Sequence, residues 1–190
     1  MRGWLLALLA MRSIGYMYKR VVLRPDWMNA SGVDDIYSIS GCISQNFADY
    51  IKYWKHNGFW LFDSPAIIES LADDPSISLK GSKLFYYEAY EQEYDGKAWL
   101  PFEPEVSFGT HVLLPREKTL EGYDVATFAA HTSPECSPLA CNAVAAAVPT
   151  NRHCLFRSFE EAHSAVEADV FKDTEPGPYR IVAVYTVNDA

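Results

Sequence analysis

The sequence predicts an α+β domain of two pseudo-repeated halves, about 34–92 and 122–188, joined by a β-hairpin segment, with a mostly antiparallel sheet and helices on one face. Three observations predict it. The phrase NGFWLFDS, Asn57 to Ser64, returns 94 residues later as NRHCLFRS, Asn151 to Ser158. At the same offset Cys42 matches Cys136 and Ser70 matches Ser164, a self-similarity of the kind that marks repeated supersecondary units. Each half then reads strand, helix, short strand, helix, strand from its apolar periodicity.

The elements follow in order. VVLRPDWM (21–28) reads as a short strand stopped by Pro25, and DDIYSIS (34–40) as an alternating strand. Ser44 can cap a helix in which Phe47, Tyr50, Ile51 and Trp54 make one apolar stripe. Asn57-Gly58 ends it, because glycine takes the left-handed conformation without a Cβ clash. FWLF (59–62) reads as a short buried strand. Ser64-Pro65 opens a second helix, with Ser as N-cap, Pro at N1 and Ile67, Ile68 and Leu71 facing inward. KLFYYEAYEQEY (83–94) is a long alternating strand, Asp95-Gly96 a hairpin turn and KAWLPF (97–102) the return strand. VSFGTHVLL (106–114) is a further strand candidate.

The second half begins with YDVATFAA (123–130) as a strand and SPECSP (133–138) as a loop. LACNAVAAAV (139–148) reads as an alanine-rich helix stopped by Pro149, and HCLF (153–156) as a short strand. Ser158 and Glu161 form an S-x-x-E capping box for the next helix, and YRIVAVYTV (179–187) is the last strand.

At 190 residues, 49% of them hydrophobic, the chain can bury the core of one domain. A net charge of −9 repels phosphate backbones and anionic lipid, which argues against nucleic-acid and membrane partners and for a basic protein partner. Four cysteines are too few for a disulfide scaffold, so they read as reduced thiols in a cytoplasmic, bacterial-type protein. The N-terminal MRGWLLALLAMRSIGY lacks a secretory pattern: Arg12 interrupts its apolar run and no small-x-small site follows. Residues 1–16 therefore read as an extension or a misassigned start before a domain at 17–190, and are expected to pack poorly.

Two functional classes fit. In the first, the protein is a binding module rather than an enzyme, in its sharpest form an immunity-type inhibitor of a basic partner. Its contact surface would be the acidic, aromatic hairpin of Glu88, Glu91, Glu93, Tyr94, Asp95, Trp99, Phe102, Glu103 and Glu105, since interfaces concentrate aromatics. The same aromatics would serve a homodimer equally well. In the second class, SPECSPLACN carries a cysteine-dependent enzyme or thiol sensor. Cys136 or Cys141 would be the nucleophile, with His131 and His153 as candidate bases. Zinc on Cys136, Cys141, His153 and Cys154 is disfavoured, because adjacent residues of a strand point to opposite faces. No metal or other cofactor is assigned.

Overall fold

The computed structural model describes residues 11–47, 56–102, 111–129 and 133–188. In chain order the strands are β1 (Met11–Arg20), β2 (Val22–Leu23), β3 (Asp35–Ile36), β4 (Gln45–Asn46), β5 (Lys83–Tyr90), β6 (Gln92–Tyr94), β7 (Trp99–Pro101), β8 (Lys118–Ala129), β9 (Ser133–Cys136) and β10 (Tyr179–Val187). The helices are α1 (Pro65–Leu71), α2 (Pro138–Cys141) and α3 (Phe159–Glu167), with a 3₁₀ turn at Val144–Ala146.

The expected α+β arrangement, with two helices in each half, is not what forms. Eight strands make one antiparallel sheet with few helices around it. At its centre β1, β5, β10 and β8 lie side by side. The central pair is apolar on both sides: Phe85, Tyr86, Tyr87, Ile181, Val182 and Val184 are buried. A strand covered on both faces reads as a continuous apolar run rather than a strict alternation.

Several expected elements are shorter than their sequence pattern. Of 34–40 only Asp35–Ile36 pairs, with β2. Gln45–Asn46, expected in a helix, form β4 against β1, and the Phe47 amide donates to the Tyr18 carbonyl. The rest of that helix falls at 48–55, outside the described residues. The alanine-rich segment makes one turn of α2, after which Ala143 takes a left-handed φ of 55°. A short alanine helix is marginal in water without a long packed face. SPECSP, expected as a loop, contributes β9 to the sheet edge. The 106–114 strand lies partly outside the described residues, and 111–114 is not a strand. The hairpin, α1, α3 and β10 form as expected.

One strand is new. β1 includes Met11–Tyr16, with Ile14 and Tyr16 buried. The poor packing expected of residues 1–16 therefore does not hold for 11–16. Trp4, Leu5 and Leu8 lie outside the described residues.

The repeated phrase has a common geometry, and it is a loop rather than a strand. Asn57 Oδ1 accepts from the amides of Phe59 and Leu61, and Asn151 Oδ1 from those of His153 and Leu155. Such side-chain bonds divert the backbone from ladder pairing. Trp60 and Cys154 both turn left-handed, at φ 58° and 61°. Only the final Phe of each phrase pairs: Phe62 exchanges backbone bonds with Tyr16 on β1, and Phe156 with Tyr123 on β8.

Each partner strand is bulged just there. The register slips between Ser13 and Gly15 on β1, and on β8 opposite Val184/Tyr185, where Leu120 and Gly122 are the paired residues. A bulge leaves its extra residue out of the ladder. The loop asparagine satisfies it: Asn57 Nδ2 donates to Ile14 O at 2.9 Å, and Asn151 Nδ2 to Glu121 O at 2.6 Å. The glycine after each bulge admits the loop. A Cβ on Gly15 would sit 2.8 Å from Leu61 Cβ, and one on Gly122 2.6 Å from Phe156 O.

Gly15→Ala and Gly122→Ala should each lower unfolding free energy by about 2–4 kcal/mol, combining a φ of 133° or 150° with the close contact. Gly32→Ala, with open space around its Cβ, should change stability little. Urea denaturation of the three variants checks both statements.

Candidate functional site

Two buried charges organise one region of the sheet. Lys19 on β1 and Asp124 on β8 are both fully buried. The Lys19 Nζ donates to the carbonyl oxygens of Ser38 (2.8 Å), Ile39 (2.8 Å) and Ser40 (2.6 Å). Three acceptors require the three protons of an ammonium, since a neutral amine has only two. Burial pulls the Lys19 pKa down to about 7, and Asp124 and the nearby thiols oppose the shift. The Asp124 carboxylate accepts from Ser38 Oγ (2.9 Å), Ile39 N (3.0 Å), Ser137 Oγ (2.6 Å) and Val125 N (2.9 Å). Burial pushes its pKa up against those donors. The segment 38–40 is thus fastened by two side chains instead of pairing as a strand.

That fastening brings three thiols together. After Ser40 the chain turns, with the amides of Ser40 and Cys42 donating to Ser38 Oγ and Ser40 Oγ. On the other side Ser137, held by Asp124, stands at the start of α2 between Cys136 at the end of β9 and Cys141 at the end of α2. The sulfurs of Cys42, Cys136 and Cys141 all lie within 4.8 Å of one another. Ser40 Oγ is 3.9 Å from Cys141 Sγ, and Cys136 Sγ donates to Asn142 Oδ1 at 3.5 Å. Cys42 is exposed, Cys141 half-buried and Cys136 buried.

The thiols differ electrostatically. The hydrogen bond from Cys141, aided by Ser40, Cys136 and the Lys19 charge, pulls Cys42 down to about 6 against its partial burial. The same bond pushes Cys141 up. Burial raises Cys136 to about 11 and Cys154 to about 12. Cys42 is therefore the most acidic thiol of the group.

Of the candidate nucleophiles and bases, Cys136 and Cys141 belong to this cluster, whereas His153 does not. Its Nδ1 is 2.5 Å from Asp35 Oδ1 and its Nε2 3.8 Å from Glu121 Oε2, and its ring stacks on Tyr37 at 4.0 Å. Cys154 is buried in its loop, apart from the sulfur cluster. His131 lies outside the described residues. Cys42, Lys19 and Asp124 were missed in the sequence. One signal for Cys42 was present: it matches Cys136 in the 94-residue echo, and the fold brings those two sulfurs together.

The hairpin residues have partners within the chain. Glu88 is 2.5 Å from Lys118 and accepts from Tyr185 Oη at 2.8 Å and Tyr86 Oη at 3.1 Å. Glu91 faces Arg12 at 3.7 Å. Glu93 accepts from the buried Arg180 at 2.7 and 3.0 Å, and Arg180 lies over the Phe102 ring. Asp95 closes the turn by accepting from the amides of Lys97 and Ala98. Tyr94 is buried beside Trp99, and Trp99 stacks on His163 of α3 and donates to Glu167. Glu103 and Glu105 lie outside the described residues. No helix of the described residues is long and apolar enough to cross a membrane.

Comparison with protein-family models, curated proteins and solved structures found no match.

Two expectations follow from the buried charges and the thiols. Lys19→Met, which leaves three carbonyls and Asp124 without their cation, should cost about 3–5 kcal/mol in a denaturant titration. Lys19→Met with Asp124→Leu should cost less than the two single changes added together. Alkylation of Cys42 by iodoacetamide should be half-maximal near pH 6, since a thiolate pKa of about 6 is what falling pH must protonate. An unperturbed thiol would require about pH 8.5. A stopped-flow pH profile with peptide mapping distinguishes them.

Proposed function

We propose that this protein is a thiol-based redox sensor whose working pair is Cys42 and Cys141, with Cys136 as the third thiol beside them. The observation that carries the reading is the meeting of three sulfurs from two distant chain segments, one exposed and two sheltered. Redox-sensing cysteines combine access with thiolate character and a neighbouring thiol that resolves the first oxidation product. Cys42 has the access, and Cys141 is the neighbour.

The oxidant is of the hydroperoxide class. The Cys42 thiolate attacks the terminal peroxide oxygen, the O–O bond breaks, and an alkoxide or hydroxide leaves, to be protonated by solvent. Cys42 is then a sulfenic acid. The Cys141 thiol attacks that sulfur, its proton leaves with the hydroxyl as water, and a Cys42–Cys141 disulfide forms. The sulfurs must close from within 4.8 Å to about 2.05 Å. Lys19 supports the step through the charge of its ammonium, which three carbonyls hold, without exchanging a proton with the reactants.

The binding-module reading has less support. Glu88, Glu91 and Glu93 are each engaged by a cation or phenol of the same chain, and Tyr94, Trp99 and Phe102 pack internally.

Treatment of the folded, reduced protein with a stoichiometric amount of hydrogen peroxide should yield one Cys42–Cys141 disulfide by peptide mapping. Cys42→Ser should abolish it, and Cys154 should stay reduced. Thiols that remain unmodified until the protein is unfolded would rule the reading out.

A further inference from the structure

We propose that the reduced Cys42–Cys136–Cys141 cluster is a binding site for zinc(II), held by the three thiolates with the fourth position left to a non-protein ligand. The inference rests on the reading of this cluster as a thiol centre, and adds what occupies it when reduced.

Geometry comes first. Zinc holds sulfur at about 2.3 Å, so the sulfurs of a tetrahedral site stand about 3.8 Å apart. The three sulfurs here already lie within 4.8 Å of one another, so a contraction of about 1 Å at most brings them to the metal-bound triangle. They come from a turn, a strand end and a helix end, and β8 joins the last two to the sheet. The site is thus organised by the fold before any ion arrives. Among the described residues the cluster has three protein ligands, the number in zinc sites that exchange a fourth ligand, in contrast to closed four-ligand structural sites.

Charge favours zinc(II) among thiophilic cations. Three thiolates around a divalent ion leave one net negative charge. Lys19, fully buried and close enough to act on Cys42 and Cys141, supplies one positive charge. Copper(I) on the same thiolates would leave two negative charges facing one ammonium. The surroundings also suit outer-shell support: Asn142 touches Cys136, and Ser40 touches Cys141. Such neighbours orient ligands and tune affinity.

The conflict with the earlier zinc reading lies in the ligand set. His153 is held by Asp35 and Glu121, and Cys154 is buried elsewhere; Cys42, from the other half of the chain, replaces them.

The test is a competition titration of the reduced full-length protein with zinc(II) against a chromophoric chelator, with copper(I) in a parallel arm. One equivalent of zinc should bind. Cys42→Ser, Cys136→Ser and Cys141→Ser should each weaken binding by at least about tenfold, the scale on which even outer-shell partners act. Cys154→Ala should leave it unchanged. Substitution of the wild-type protein with cobalt(II) should produce sulfur-to-metal charge-transfer bands, a readout independent of whether the variants fold. Absence of zinc binding, binding that persists when all three cysteines are replaced, or copper(I) binding without zinc binding overturns the proposal. If zinc fails to bind while peroxide still forms the Cys42–Cys141 disulfide, the metal site falls and the redox reading stands. If zinc binds but peroxide forms no disulfide, the reverse holds.

Discussion

The fold depends on a charge pair whose members do not touch. Lys19 and Asp124 sit on the two outer strands of the central four and grip the same short segment, one through its carbonyls and the other through an amide and a hydroxyl. Burying either charge alone would be costly, because the desolvation of an ion exceeds most single packing gains. Each is tolerated because donors or acceptors surround it. The result is a polar girder beneath a largely apolar sheet. Asp124 extends it by holding Ser137, so two distant stretches of chain come to a common point. The thiol cluster forms where this arrangement brings those two stretches together.

The sequence showed three of the sheet's four long strands and missed β1 and the short ones. β5, β10 and most of β8 carry dense apolar and β-branched runs, and such runs report burial directly. The hairpin and α3 were legible from turn and cap chemistry that acts within a few residues. Two of the failures share a cause: a side chain took over the local backbone. Segment 38–40 alternates like a strand, yet Lys19 and Asp124 claim its polar groups. FWLF is as apolar as a buried strand, yet Asn57 folds it into a loop. β1 was obscured because Gly15 and the charged residues flanking it broke the pattern of a strand.

The candidate site was half legible for the same reason. Cys136 and Cys141 stood out because they are close in sequence. Cys42 is remote from them, and its proximity is a property of the tertiary fold. The acidic hairpin shows the same limit from the other side. Its charges looked like a surface seeking a partner because their counter-ions, Arg12, Lys118 and Arg180, lie on other strands. Composition counts charges without pairing them, and only the strand order decides which remain for a second molecule.

The two bulge-and-asparagine loops also determine what the sheet cannot do. Along the outward rim of β1, Ile14 O is taken by Asn57, both groups of Tyr16 by Phe62 and Tyr18 O by Phe47. On β8, Glu121 O is taken by Asn151, both groups of Tyr123 by Phe156 and the Val125 amide by Asp124. Unpaired rims are where sheets recruit foreign strands and begin to aggregate. Here each rim is closed by a loop of the same chain, and the neighbouring bulge twists the strand away from a flat template. The echo in the sequence is therefore a pair of covers, one on β1 and one on β8, that occupy backbone groups a foreign strand would need there.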